Sequence, residues 1–281
     1  TGATSKNNDF AENVFVASTH DYVVFFTSSG KCFWRKVHEL PESSLTARGR
    51  ALTNILDLPE DEKIRAFVSL RDFEQDAYLI MTTRSGIIKK TKLEEYSRPR
   101  ANGIIAINLK GNDELIAVRT SSGSDEILIS TKQGQAIRFN EDKVRSVGRN
   151  SMGVKGISLK GDDFVVSSEV IKDSKTQILT ITENGFGKRT EVEKYRLTSR
   201  GGKGVTTLKI TEKTGKIVNA FQVDNETDVI LLSSVGKANR LKASEISIIG
   251  RATQGVRLMK LNDDIKVVAA AKLTEEKQNS E

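Results

Sequence analysis

Short runs of apolar and β-branched residues, each followed by a turn that contains glycine, recur along the chain. The clearest copy lies in residues 177–208, where the run Ile178–Ile181 precedes the turn Asn184-Gly185. Runs of this kind, bounded by turn residues, predict antiparallel β-hairpins in which the glycine has a positive φ. The runs and their glycines are Tyr22–Thr27 with Gly30, Tyr78–Thr83 with Gly86, Ile127–Thr131 with Gly134, Ile178–Thr182 with Gly185, and Val229–Ser233 with Gly236.

A second series of glycines follows the first at a nearly constant distance. Its members are Gly49, Gly103, Gly153, Gly204 and Gly255, and four of them lie 19 residues after the turn glycine of their unit. An alternating run, an acidic or polar turn and a last apolar strand come next in each unit. The last strands are predicted at Ile64–Val68, Leu115–Val118, Phe164–Val166, Ile217–Phe221 and Ile265–Ala269. The repeat therefore predicts about four short strands, and almost no helix, in every unit of roughly 50 residues.

Four strands per unit, repeated five times or more, are typical of a propeller-like radial array in an all-β protein. The units of this single domain, residues 1–273, are predicted at about 20–75, 76–124, 125–175, 176–226 and 227–273. Residues 1–19 resemble the end of a sixth unit, because Val14–Ala17 matches a last strand, and we expect the first half of that unit upstream of Thr1. The short charged segment 274–281 is predicted to be a disordered tail.

Composition places the chain among globular proteins. Its 281 residues are 29% charged and 37% hydrophobic, which argues against disorder. No apolar run approaches the roughly 20 residues that are needed to cross a bilayer. A single cysteine, Cys32, excludes an internal disulfide framework and favours a reducing cytoplasm. Because the chain lacks an initiator Met, we expect it to be part of a longer protein.

A search for catalytic motifs finds none. The two histidines, His20 and His38, form no metal-ligand spacing with the cysteine, and no phosphate-binding loop of the Walker type is present. The pair Asp162-Asp163 has equivalents in most units, so we interpret it as a turn rather than as an acid/base pair. Trp34 is interpreted as a packing residue. We therefore predict no catalytic residue, no metal and no cofactor.

The net charge of +7 becomes informative because lysines and arginines recur at fixed phases of the repeat. One phase lies four residues after the turn glycine and holds Lys90, Arg138, Arg189 and Arg240, with Arg35 one place later in its unit. The second lies in the loop before the second glycine and holds Arg98, Arg149, Arg200 and Arg251, spaced 51 residues apart. Further cations beside these phases are Arg48, Arg50, Lys89, Arg100, Lys188 and Lys203. We predict that all of them form a belt that contacts phosphate groups, because glycine-containing loops allow close approach and arginine grips phosphate through two N–H groups.

The size of the chain limits what such a belt can do. A compact chain of this length has a radius of gyration of about 19 Å and an outer radius of roughly 24 Å. Bending duplex DNA through a half-turn on that rim, over about 30 base pairs, costs on the order of 10–15 kcal/mol. A dozen phosphate contacts can offset this cost, so the pattern predicts wrapping with low sequence preference and steep salt dependence.

Several segments of the chain resemble the C-terminal domains of the A subunits of bacterial DNA gyrases. They are Val16–Asp21, Lys36–Pro41, Ala47–Arg50, Asn184–Thr190 and Ser244–Val256. The resemblance implies a six-bladed β-pinwheel whose neighbouring blades exchange strands, and a rim that wraps duplex DNA with a positive handedness. It also implies that the domain is monomeric when isolated, is not attached to a membrane, and works in the bacterial cytoplasm at the nucleoid. Its implied partners are double-stranded DNA, the rest of the gyrase A subunit, and the gyrase B subunit, which together introduce negative supercoils with ATP.

Alternatives stay open at this point. The basic, glycine-rich box that defines the gyrase family is missing from these 281 residues. By register we expect it to end just before Thr1. Arg200–Gly204 resembles part of this box. The corresponding domain of topoisomerase IV, which bends DNA without strong wrapping, is the alternative within the family. A propeller that serves as a protein-interaction scaffold is the alternative from another class, and a propeller enzyme is a more distant one.

Overall fold

The computed structural model describes residues 18–41, 55–56, 58, 62–98, 100 and 102–273. The strands in chain order are β1 (Tyr22–Thr27), β2 (Lys31–Lys36), β3 (Ile64–Leu70), β4 (Tyr78–Thr83), β5 (Ile87–Lys92), β6 (Ile104–Ile105), β7 (Leu115–Ser121), β8 (Glu126–Thr131), β9 (Gln135–Asn140), β10 (Val154–Lys155), β11 (Val165–Ile171), β12 (Gln177–Thr182), β13 (Phe186–Glu191), β14 (Val205–Thr206), β15 (Ile217–Val223), β16 (Asp228–Ser233), β17 (Ala238–Lys242), β18 (Val256–Arg257) and β19 (Val267–Leu273). A short 3-10 helix follows each hairpin, at Val37–Glu39, Leu93–Tyr96, Glu141–Lys143, Val192–Lys194 and Ala243–Glu245.

These strands form five antiparallel sheets, the blades, and the next unit supplies a strand to each of the first four. The strand orders are β3-β1-β2-β6, β7-β4-β5-β10, β11-β8-β9-β14 and β15-β12-β13-β18. The long strands of each blade come from one unit, and the two-residue strand comes from the unit that follows. The all-β fold and the strand exchange that the resemblance implied are therefore confirmed. Neighbouring blades pack through their last strands, β3, β7, β11, β15 and β19.

The number of blades differs from the six that the resemblance implies. The described residues form five, and the fifth has three strands in the order β17-β16-β19. The strand at its outer edge is β17. In the other blades the equivalent strand pairs with the two-residue strand of the following unit. Residues 1–17, in which most of the expected sixth-unit tail lies, and the predicted tail 274–281 are outside the described part of the chain.

Local turn chemistry explains the hairpins. The five turn glycines have φ values between 76° and 88°, as predicted. The last residue of each first strand has a hydroxyl that accepts a hydrogen bond from the backbone N–H four residues later, which closes the turn. These pairs are Thr27 with Lys31, Thr83 with Ile87, Thr131 with Gln135, Thr182 with Phe186, and Ser233 with Lys237.

The second glycines mark where a unit crosses onto the preceding blade. Gly153, Gly204 and Gly255 have φ values of 94°, 74° and 80°. A Cβ atom at Gly204 would lie 2.3 Å from the carbonyl oxygen of Ala136 on β9, which leaves no room for a side chain. The short strand that follows can therefore pair with the preceding hairpin only because the chain has glycine at this crossing.

Hydrophobic cores lie between the blades rather than within them. On β1, Val24 and Phe26 belong to the core shared with blade 2, whereas Val23 and Phe25 belong to a core on the opposite side. This alternation is the period of two expected for a strand whose faces are both covered. Trp34 packs in the first of these cores, with its ring centroid 5.7 Å from that of Phe73. Its interpretation as a packing residue is confirmed.

The crossing glycines should be the least replaceable residues of the repeat. We expect Gly204→Ala to destabilise the chain by about 1–3 kcal/mol more than Gly161→Ala, because only the former inserts a methyl group into backbone atoms. Gly161 is the matched control: its φ is also positive, at 56°, yet a Cβ there would meet nothing within 4 Å. Urea unfolding of both variants measures the difference, and equal losses of stability would contradict the close approach.

Candidate nucleic-acid interface

The predicted belt of cations divides into buried and exposed residues. Arg48 and Arg50 lie outside the described residues. Five of the others are buried, with at most 8% of their surface exposed: Lys89, Lys90, Arg138, Lys188 and Arg189. These five are therefore not part of an exposed belt, which corrects the sequence prediction for them.

The position of these residues on the second hairpin strand explains their burial. In each case the short strand of the next unit pairs with the beginning of this strand. The segment that follows the next 3-10 helix then runs parallel beside it, with bridges from Lys90 to Ser146, Arg138 to Leu197, and Arg189 to Ile248. The strand that was expected to face solvent is thus covered by its neighbour.

Arg138 shows what the buried cations do. Its guanidinium donates hydrogen bonds to the carbonyl oxygens of Val192 and Tyr195, each at 3.0 Å, and pairs with the Glu126 carboxylate at 2.6 Å. Val192 and Tyr195 belong to the 3-10 helix of the next unit and the residue that caps it. Arg138 therefore ties blade 3 to the unit that forms blade 4.

Lys90 and Arg189 make related contacts one unit before and one unit after. Arg189 donates to the carbonyl oxygen of Ile246 at 2.8 Å. The Lys90 ammonium donates to the carbonyl oxygen of Gly123 at 3.2 Å and lies 3.7 Å from the Glu141 carboxylate. Burial lowers the pKa of the Arg189 guanidinium below its ordinary range, although an arginine stays protonated in proteins. All three side chains use their charge to bind the following unit.

The remaining cations of this phase are more exposed but also have partners in the protein. Arg35 is half-buried and donates to the carbonyl oxygen of Trp34 at 3.1 Å. Arg240, on the uncovered strand of blade 5, is exposed and pairs with Asp228 at 2.5 Å. This pair is the counterpart of Arg138 with Glu126 in blade 3, although no strand of the described residues pairs with the outer side of β17.

Arginines of the loops before the second glycine are half-exposed and repeat one contact. The guanidinium of each donates to the carbonyl oxygen of the second residue of the preceding unit's short strand. The contacts are Arg149 to Ile105 at 2.9 Å, Arg200 to Lys155 at 3.0 Å, and Arg251 to Thr206 at 2.9 Å. One or two N–H groups hold the guanidinium in each case, so the others remain available at the surface.

Exposed cations surround these anchored arginines. Arg98, Arg100 and Lys203 are exposed, as expected from their loops. Sequence reasoning missed the exposed Arg145 and Arg196, which follow the 3-10 helices of two successive units. Their separation of 51 residues was the signal that could have identified them. We call the exposed and half-exposed cations of these loops the basic rim; they are Arg98, Arg100, Arg145, Arg149, Arg196, Arg200, Lys203 and Arg251.

Other candidate chemistry has structural roles. The Asp163 carboxylate accepts hydrogen bonds from the backbone N–H groups of Gln133 and Phe164, at 2.9 and 2.8 Å, which fixes the hairpin turn beside it. Burial raises the pKa of the Cys32 thiol to about 12, so it is not a nucleophile at neutral pH. Among the described residues, no group of His, Cys, Asp and Glu side chains could hold a metal ion. The described part of the chain also has no helix that is long and apolar enough to span a membrane.

Comparison with protein families gives one extended match. The family model described as DNA gyrase C-terminal domain, beta-propeller, matches residues 21–71, 77–122, 125–172, 176–224 and 227–274. The DNA gyrase A subunit of Salmonella typhimurium is 45% identical over 273 residues, which are 97% of this chain and 31% of that protein. The chain thus spans about a third of the length of the curated relatives it matches.

Two solved structures are similar over most of the chain. A structure of a DNA gyrase A C-terminal domain has a TM-score of 0.81 at 28% identity, and the match covers 92% of this chain and 84% of the other. The crystal structure of a DNA topoisomerase IV C-terminal domain has a TM-score of 0.83 at 28% identity, with coverage of 91% and 80%. At this level of similarity the fold alone does not separate the two kinds of domain.

The division of the cations can be tested by stability measurements. We expect Arg138→Leu to lower the free energy of unfolding by about 3 kcal/mol, because it leaves Glu126 and two carbonyl groups without their partner. Arg145→Leu, the exposed control, should change it by no more than about 0.5 kcal/mol. Urea unfolding of both variants measures these changes. An Arg138→Leu variant as stable as the native chain would refute the role of Arg138 in joining two blades.

Proposed function

The chain belongs to the family of DNA gyrase C-terminal domains, and from this premise we propose that it binds duplex DNA along the basic rim and wraps it with a fixed handedness. The observation that carries the proposal is the repeated anchored arginine. Arg149, Arg200 and Arg251 occupy the same place on successive units, and each donates to the equivalent carbonyl oxygen of the preceding unit. A surface that repeats one phosphate-binding group at equal steps suits a polymer that repeats its charge.

Anchoring prepares these arginines for phosphate contact. An unrestrained arginine loses side-chain freedom when it binds, whereas a guanidinium already held by a carbonyl loses less. The flanking Arg145 and Arg196 are free of such bonds to carbonyls among the described residues and add charge nearby. Glycines beside them, such as Gly201 and Gly202, keep the loop small enough for the backbone of a duplex to approach.

The basic rim is suited to reading shape rather than sequence. Its cations stand on loops, and the helices that follow the hairpins are single 3-10 turns. Loops of this kind contact phosphates but do not place a helix in the major groove. We therefore expect affinity that falls steeply with salt and depends little on base sequence.

Within the longer protein, the domain positions DNA and catalyses no reaction itself. We place the cleavage of DNA and the hydrolysis of ATP in other parts of the gyrase A subunit and in the B subunit, with this domain delivering a wrapped segment to them. Negative supercoiling requires the segment to cross with one handedness, which a chiral wrap provides. The setting that this role requires is the bacterial cytoplasm, where chromosomal DNA is accessible.

A bending domain of the topoisomerase IV type is the second candidate. It is favoured by one observation, the TM-score of 0.83 with such a domain. The sequence relatives at 45% and 44% identity are named as gyrase A subunits instead. A scaffold for proteins is the third candidate, and it differs from both in requiring no affinity for duplex DNA.

A topological assay tests the proposal. The chain is bound to nicked plasmid at increasing ratios, the nick is ligated, the protein is removed, and the linking number is read across a salt series. We expect a positive shift that disappears as salt increases. Binding without a shift in linking number would support DNA bending alone. Absence of binding at low salt would contradict both DNA-binding functions and favour the protein scaffold.

The basic rim can also be tested by variants. The double variant Arg145→Gln/Arg196→Gln should reduce the slope of log affinity against log salt by about two, because each arginine contacts about one phosphate. Lys160→Gln is the control, since this exposed lysine lies beside the acidic pair Asp162-Asp163. Fluorescence anisotropy with a labelled duplex gives both slopes, and identical slopes for the two variants would argue against the basic rim.

A further inference from the structure

Two fully buried lysines lie directly beneath the basic rim. Lys89 and Lys188 each stand three residues after the turn glycine of their hairpin, in blades 2 and 4. The Lys89 ammonium donates to the carbonyl oxygen of Ala106 at 2.6 Å and to that of Arg149. The Lys188 ammonium donates to the carbonyl oxygens of Gly250 and Arg251. Each lysine therefore binds the main chain of the very residue whose guanidinium reaches the surface.

An ammonium is not needed for the fold at this position. The equivalent residues of blades 1 and 3 are Phe33 and Ile137, and both are buried. In the loop that covers Ile137, the lysine is Lys203, and its side chain is exposed rather than buried. Since an apolar side chain fills the place in half of the complete blades, the buried charge calls for another explanation.

No carboxylate of the described residues neutralises these ammonium groups at ion-pair distance. Glu95 acts on Lys89 only at longer range, beside the thiol of Cys32, and no acidic group among the described residues acts on Lys188. The guanidinium groups of Arg149 and Arg251 act on Lys89 and Lys188, respectively, and disfavour the charged form of each. Each lysine therefore adds an unbalanced positive charge just below a phosphate-binding surface.

We propose that Lys89 and Lys188 are positioning residues of the DNA interface, each fixing the arginine loop above it and supplying a positive charge that a bound DNA phosphate balances. The proposal rests on the proposed function, because it assigns phosphate to the surface above these loops. It goes beyond that function in coupling DNA binding to proton uptake through two groups that DNA does not touch.

The coupling follows from the charge state of the free protein. Burial, and then the Arg149 guanidinium, lower the pKa of Lys89 to about 7, against smaller opposing effects of Cys32 and Glu95. Burial and Arg251 lower the pKa of Lys188 to about 8. A phosphate placed above either loop favours the charged form and raises its pKa. Binding is then strongest below the free-protein pKa and weakens as the pH rises towards the bound-state pKa.

The hydroxyl groups near these lysines stay protonated in the same pH range. The Tyr96 hydroxyl donates to the same Ala106 carbonyl as Lys89, and burial raises its pKa well above the ordinary value of 10. Burial also raises the pKa of Tyr195, near Arg251. Neither hydroxyl therefore contributes to proton uptake between pH 7 and 8.5.

The native chain provides a test that needs no substitution. Calorimetric titration with duplex DNA at pH 7.5, in two buffers of different ionisation enthalpy, measures the protons taken up on binding. Because burial lowers both pKa values towards this pH, to about 7 and about 8, the free lysines are only partly protonated, and we expect binding to take up protons. Binding with no uptake would overturn the inference while leaving the proposed DNA binding intact.

Variants then assign the protons. Lys89→Met and Lys188→Met should each remove part of the uptake, and Lys89→Met the larger part, because the pKa of Lys89 is lowered further. Lys203→Met is the control, since it removes an exposed phosphate contact and should weaken binding without changing the uptake. Unchanged uptake in both buried-lysine variants would overturn the inference, whereas a chain that binds no DNA at all would refute the proposed function instead.

Discussion

The fold depends on one constraint, which is that no blade can complete its own outer edge. A hairpin strand with an open edge has unpaired backbone groups, and in the first four blades these groups are covered by the next unit. Where the next unit crosses onto the preceding blade, the two backbones approach so closely that only glycine fits, as at Gly204. The carbonyl groups of the next unit also need hydrogen-bond donors from the preceding blade. Arg138 and Arg189 are those donors, which explains why these two arginines are buried.

The same constraint positions the arginines of the basic rim. Each arriving unit passes over the preceding blade through a loop, and the loop arginine bonds to the short strand next to it. Arg149, Arg200 and Arg251 therefore repeat at the spacing of the units, because the contact that holds them is part of the repeat. The cationic repeat therefore has two parts. Lys90, Arg138 and Arg189 of the hairpins are buried and join the blades, whereas the arginines of the loops are exposed or half-exposed and form the basic rim.

Sequence reasoning predicted the features that are local and missed those that depend on the neighbouring unit. The turns at Gly30 and Gly185, and strands such as Tyr22–Thr27, follow from turn chemistry and alternation within a few residues. Burial of Lys90, Arg138 and Arg189 could not be predicted from the repeat, because a regular spacing is the same for a cation that faces solvent and one that faces the next blade. The resemblance implied the exchange of strands, whereas composition and periodicity did not.

The central claim is that one duplex follows the basic rim from unit to unit, and tethered cleavage tests it most directly. Ser146, Leu197 and Ile248 are exposed, occupy equivalent places on three units and lie next to rim loops. Because the only native cysteine, Cys32, is buried, an iron chelate can be attached selectively to Ser146→Cys, Leu197→Cys or Ile248→Cys. We expect a chain that carries two chelates to cut one bound duplex twice, wherever it binds, with the cuts from residues 146 and 248 about twice as far apart as the cuts from neighbouring units. A separation that does not depend on which two units carry the chelates would contradict the wrapped path.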